Sequence, residues 1–181
     1  MSVRLKHNKK VVSSIIALVI ACCSSFMAFA ATYIYYSNGY ISSTIPIENR
    51  VSYSEFDTAI SAWNGTSTPA YIYTVPGSGN NWMIDNLYAT TWQALYTPVN
   101  LQYIVFGRAT KFKIELNRKY LVSCTSNEKT WTMVHELGHA LTLGDNPSNT
   151  TTPDASIMNY GSNRQNYTPR ADDITGVNAT Y

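Results

Sequence analysis

Eleven consecutive residues, His135-Glu136-Leu137-Gly138-His139-Ala140-Leu141-Thr142-Leu143-Gly144-Asp145, concentrate the side chains able to do chemistry in this 181-residue chain. His135 and His139 are two of its three histidines and stand four residues apart. On a helix that spacing stacks both imidazoles on one face, about one turn apart, close enough to share one cation. Glu136 follows the first imidazole and can reach past a metal toward its bound water. Two neutral imidazoles with a carboxylate in this spacing suit a zinc site in which Glu136 acts as general base. Asp145 lies beyond Gly144, which could turn the chain back, so its carboxylate can supply a third ligand. The expected chemistry is metal-assisted hydrolysis.

A helix must position the two histidines. Thr125-Ser126-Asn127-Glu128 has the spacing of a capping box, which predicts a helix from near Ser126 to about Leu141. Trp131, Val134, Gly138 and Leu141 fall beside the histidines and should bury it in the core. Upstream, Ser52-Tyr53-Ser54-Glu55 reads as another capping box, followed by Phe56, Ala59, Ile60 and Trp63 at helical spacing and a stop at Asn64-Gly65. Tyr33–Tyr36 and Tyr40–Ile47 read as extended or irregular, and Ala70–Val75 as a short strand. Trp82–Tyr96 is compatible with helix or strand. Leu101–Phe106 and Thr110–Leu116 read as two strands joined at Gly107-Arg108. The second alternates Phe112, Ile114 and Leu116 with Lys111, Lys113 and Glu115, the pattern expected of a half-solvated edge strand. Such an edge could bind an extended peptide as an added strand.

Composition narrows the classes. Hydrophobic residues make up 45% and charged residues 13%, which suits a folded domain. Four of the thirteen basic residues, Arg4, Lys6, Lys9 and Lys10, precede an apolar run, and the rest of the chain carries nine against eleven acidic residues. No basic patch remains for nucleic acid, so no nucleic-acid partner is expected. The basic start, the run Val11–Ala21 and the close at Ala28-Phe29-Ala30 have the build of a secretory signal peptide cleaved after Ala30. This reading assigns residues 1–30 to the signal and 31–181 to one secreted domain, with no membrane partner after cleavage and a monomeric state. His7 leaves with the signal. Two alternatives stay open: an uncleaved membrane anchor, and a lipoprotein carrying lipid on Cys22, from Val19-Ile20-Ala21-Cys22. Cys124 is then the single thiol of the mature chain and makes no internal disulfide.

The longer pattern resembles the metzincin zinc endopeptidases, whose motif is HExxHxxGxx followed by His or Asp. His135, Glu136, His139 and Asp145 match it in order and spacing. Ser156-Ile157-Met158-Asn159-Tyr160-Gly161 resembles the family's Met-turn, which places a methionine beneath the metal. Thr168-Pro169-Arg170-Ala171-Asp172-Asp173-Ile174, with Gly176, Val177 and Tyr181, looks like the closing helix of matrixins. The resemblance spans roughly residues 50–181 and is specific over 135–181.

It implies an α+β fold: a small twisted mixed sheet, two long helices, and a C-terminal subdomain from Asn146 onward holding the Met-turn and final helix. It also implies one catalytic zinc, a protein or peptide substrate, and a Tyr160 hydroxyl that bonds the reaction's oxyanion. Calcium is left open. Thr142 departs from the pattern, standing where the family has a glycine and the backbone often needs positive φ. Either the turn shifts toward Gly144, or Thr142 takes the strained conformation. Asp154 is the weaker substitute for Asp145, and Asp172 and Asp173 are expected to cap or brace the last helix. The alternative function is a secreted module that keeps the fold and binds cell wall or protein without catalysis.

Overall fold

The computed structural model describes residues 33–77, 80–102, 107–146, 155–160 and 163–181. The signal-like segment, residues 103–106 of the expected strand Leu101–Phe106, residues 147–154 of the Asn146–Asn166 loop (Asp154 among them) and residues 161–162 lie outside the described residues. Seven strands occur there: β1 (Ile34–Tyr35), β2 (Thr44–Arg50), β3 (Tyr71–Thr74), β4 (Asn81–Asn86), β5 (Ala94–Gln102), β6 (Arg108–Asn117) and β7 (Leu143–Gly144). Four helices accompany them: α1 (Phe56–Asn64), α2 (Arg118–Leu121), α3 (Ser126–Ala140) and α4 (Ala171–Thr180). None of the described helices is long and apolar enough to cross a membrane.

The mixed α+β class is as expected. Five strands form one sheet in the order β3-β2-β4-β6-β5, parallel except for β5. One face of the sheet is apolar. Ile45, Ile47, Ile72, Met83, Phe112, Ile114 and Leu116 are buried there and belong to one core with Phe56, Ala59 and Trp63 of α1 and Met133, Val134 and Leu137 of α3. Trp63 Nε1 donates to Val134 O at 2.9 Å, joining the two helices inside that core.

Two expectations fail at long range. Helix α1 begins at Phe56 without a side-chain cap, because the Ser52 amide and hydroxyl both donate to Asp85 on β4. The Ser52 capping box therefore does not form. The edge strand is also misassigned in the sequence reading. Strand β6 is interior, between β4 and β5, and its alternation reflects one buried face. The edges are β3 and β5, and β5, which starts at Ala94, carries Pro98 beside two register shifts. A proline without an amide hydrogen is tolerated at such an edge. The ambiguous stretch resolves into β4, a loop, and the start of β5. That loop is organised by buried Asn117, whose side chain bonds the backbone of Tyr88 and Trp92.

Candidate metal centre

Helix α3 forms as its sequence predicts. The Thr125 hydroxyl accepts from Glu128 N–H, and the Glu128 carboxylate accepts from Thr125 N–H at 2.8 Å. The helix then runs to Ala140 with its second half buried. His135 and His139 emerge on one face with ring centroids 5.0 Å apart.

Each imidazole is fixed through Nδ1. The Ile157 carbonyl lies 3.0 Å from Nδ1 of His135, and the Leu143 carbonyl 2.8 Å from Nδ1 of His139. A carbonyl only accepts, so both Nδ1 atoms carry hydrogen and donate. In the neutral tautomer this leaves each Nε2 with a lone pair, as metal ligation requires, whereas the contact of His135 Nε2 with Asp145 is a hydrogen bond only in the imidazolium form. Nitrogen and oxygen donors of His135, Glu136 and His139 all lie within 4.8 Å of one another, a group able to hold a metal ion.

Asp145 joins them. Its Oδ1 is 3.0 Å from His135 Nε2 and 3.5 Å from His139 Nε2. Burial works to raise the Asp145 pKa, but the His135 bond, both imidazoles and the Tyr160 hydroxyl outweigh it and hold it low. Burial likewise works against the His135 imidazolium, and the bond to Asp145 and the nearby Glu136 reverse it, raising the value. The Tyr160 ring is 61% exposed and stacks 6.0 Å from His135. Burial and its bond to Asp145 push the Tyr160 hydroxyl up to about 12, so it remains a donor at neutral pH.

Glu136 is 6% exposed. Its carboxylate accepts from the Tyr96 backbone N–H on β5, while Oε2 is buried without a hydrogen-bond partner. Burial pushes its pKa up, against the pull of His139 and His135. A buried, half-satisfied carboxylate beside two imidazoles is the kind of perturbed group found at functional sites. All five predicted site residues line one cleft of about 480 Å³, with β5 and the preceding Trp92 and Gln93 opposite α3.

The chain turns after α3 at Thr142, not at Gly144. Thr142 takes φ 72°, is fully buried, and leaves its hydroxyl unpartnered. Distant residues hold it there. Tyr36 N–H donates to Thr142 O at 2.7 Å, β1 pairs with β7, and Gly39 packs against Thr142 so closely that a Cβ would meet it at 2.5 Å. Below the histidines, Met158 lies under Gly138 beside Trp63. Asp173, 1% exposed, accepts from the Ser156 hydroxyl, Ile157 N–H and Arg170 N–H, tying α4 to the turn that presents the Ile157 carbonyl to His135. This confirms Asp173 as a brace. Burial dominates its raised pKa.

Sequence reasoning missed the Tyr96 amide, the Gly39 contact and the cleft residues Trp131 and Arg164. Pro98 was the one local sign that β5 is the edge facing the site. Neither a family model nor a curated protein matches the chain.

Proposed function

We propose that this chain is a secreted, zinc-dependent endopeptidase of metzincin type, matrixin-like, with residues 1–30 as its export signal. The observation that carries the reading is Glu136: one oxygen held by the β5 amide, the other buried and unpartnered, beside two imidazoles whose Nδ1 atoms are held by carbonyls and whose Nε2 atoms converge on Asp145. The zinc assignment is supported by ligand spacing. A tetrahedral site with bonds of about 2.0–2.1 Å has edges of about 3.3–3.4 Å, close to the separations of Asp145 Oδ1 from the two Nε2 atoms. His135, His139 and Asp145 would hold the metal. The metzincin assignment is supported by Met158 beneath the ligand helix and by the α4 brace.

Bound zinc would supply Lewis acidity, lowering the pKa of water and polarising the substrate carbonyl. Glu136 takes the proton of the attacking water and returns it to the leaving amine. Tyr160 donates toward the developing oxyanion, which requires its hydroxyl to leave Asp145. An extended peptide adds to the outer edge of β5, alongside the Tyr96 amide that Glu136 holds. Metal analysis should find one zinc per chain, and casein hydrolysis should be abolished by a chelator. Glu136→Ala should keep the zinc and lose activity by roughly three orders of magnitude or more. Purified protein with stoichiometric zinc and no hydrolysis would instead favour a binding module.

A further inference from the structure

One wall of the cleft has no part in this chemistry. Trp131 stacks against the His135 ring with centroids 5.1 Å apart, and the Arg164 guanidinium lies 4.9 Å from the centre of the Trp131 ring. Arg164 Nη2 donates to the Thr132 hydroxyl at 2.8 Å. All three residues line the cleft beside His135, and Arg164 is the one Lys or Arg among the lining residues. The carboxylates there, Glu136 and Asp145, belong to the metal end. Among the described residues no carboxylate forms an ion pair with Arg164. Glu128 feels its charge but is bound by the Thr125 amide and hydroxyl. Arg164 Nε and Trp131 Nε1 are both buried without an acceptor.

We propose that this wall is a substrate pocket for a carboxylate carried by a residue close to the scissile bond, either an acidic side chain or the peptide's own terminal carboxyl. The proposal rests on the peptidase reading of the same cleft. A guanidinium matches a carboxylate in shape and charge, and here the Thr132 bond and the indole hold it in place before substrate arrives. One indole separates it from a metal ligand, so only residues within about two positions of the reacting carbonyl can reach it. A neutral amide of the same shape forgoes the charge, and a lysine side chain is repelled.

The test uses the zinc-loaded chain and quenched fluorescent peptides carrying Glu, Gln, Leu or Lys at each of the four positions around the cleaved bond. At one position kcat/KM for Glu should exceed that for Gln by about 10–100-fold. Arg164→Gln should bring the ratio near unity, while Arg164→Lys should keep part of it. Peptides ending just past the cleaved bond, as free acid or amide, separate the sources. A gain from the free acid assigns the terminal carboxyl, and a gain from Glu in the longer peptides assigns the side chain. No preference in either set, or one untouched by Arg164→Gln, overturns the proposal. If nothing is cleaved, the peptidase reading fails separately and calorimetry on the Glu136→Ala chain decides. The Glu peptide should then bind about tenfold or more tightly than its Gln twin, and only while Arg164 is present; equal affinities overturn the pocket.

Discussion

Helix α3 and the short loop after it bring candidate ligands to the same point by opposite means. Within α3 everything is local: a capping box starts the helix, its period aligns His135 with His139, and a buried face seats it. Past Leu141 little is local. Thr142 sits at φ 72°, where a β-branched residue is strained. Contacts from about one hundred residues away, the Tyr36 amide, Gly39 and β1, keep it there. The helix would present two imidazoles almost wherever it packed. Asp145 reaches them only if the strap before β2 is in place.

Removing ligands tests that contrast most strongly. His139→Ala and Asp145→Ala should each weaken zinc affinity by more than about 100-fold, since losing even the groups that orient a ligand costs 10–100-fold. Asp154→Ala should leave it nearly unchanged, because ordering a more distant Ser/Thr/Asn stretch costs more chain entropy. Competition with a chromophoric chelator reads all three. A damaging Asp154→Ala would move the third ligand and undo the loop's role.

Glycines on either side separate the two regions. At Gly39 an added Cβ would lie 2.7 Å from Thr142 backbone atoms, so the chain itself must move. Gly39→Ala should cost about 1–3 kcal/mol in urea unfolding and about tenfold in zinc affinity, with helical circular dichroism retained. At Gly138 the Cβ would meet the Met158 Sδ at 2.5 Å, the end of a flexible side chain. Methionine repacks readily and alanine favours the helix, so Gly138→Ala should stay within about 1 kcal/mol of the parent. If Gly138→Ala proved the more damaging, the helix, not the loop, would be the fragile part.

The same division governs what could be read in the sequence. The bounds and cap of α3, the buried stripe of α1 and the candidate ligands all follow from periodicity and spacing within a few turns. Ser52 failed because Asp85, on another element, outcompetes a local cap for its hydroxyl and amide. The edge strand failed because alternation reports which face is buried, whereas edge position depends on pairing partners far along the chain. Thr142 was legible as a conflict, but its resolution lay in Gly39, which carries no local mark of that contact. The Trp131–Arg164 wall is likewise assembled from two separate segments.

A smaller effect should come from relieving the loop. Thr142→Gly removes the cost of φ 72°, about 1–2 kcal/mol, and a buried hydroxyl without a partner. Against this stand the greater backbone freedom of glycine in the unfolded chain and the lost methyl packing against Gly39. The net should be a gain of up to about 1 kcal/mol in urea unfolding, with zinc affinity equal or slightly higher. A loss exceeding about 1 kcal/mol would mean that the methyl packing outweighs the strain.

The smallest effect belongs to the helix start and sharpens the comparison from the local side. The Glu128 carboxylate accepts from the Thr125 amide and hydroxyl, and these bonds, the amide first, hold its pKa below the usual glutamate range. A depressed folded value means that the unfolded chain takes up its proton first as pH falls. The stabilisation is therefore complete above the unfolded value of about 4.3 and disappears as pH falls through the lower folded value. Because the side chain is exposed, water screens the effect and it stays modest. Thermal melts of the parent and Glu128→Gln should differ slightly at pH 6 and converge only as pH falls through the depressed folded value. Zinc affinity at pH 7 should be the same in both, since the buried turns from Thr130 onward hold His135 without help from the cap. A loss of zinc affinity in Glu128→Gln would show that the imidazoles also depend on contacts beyond their own turns, and the local character assigned to α3 would fail.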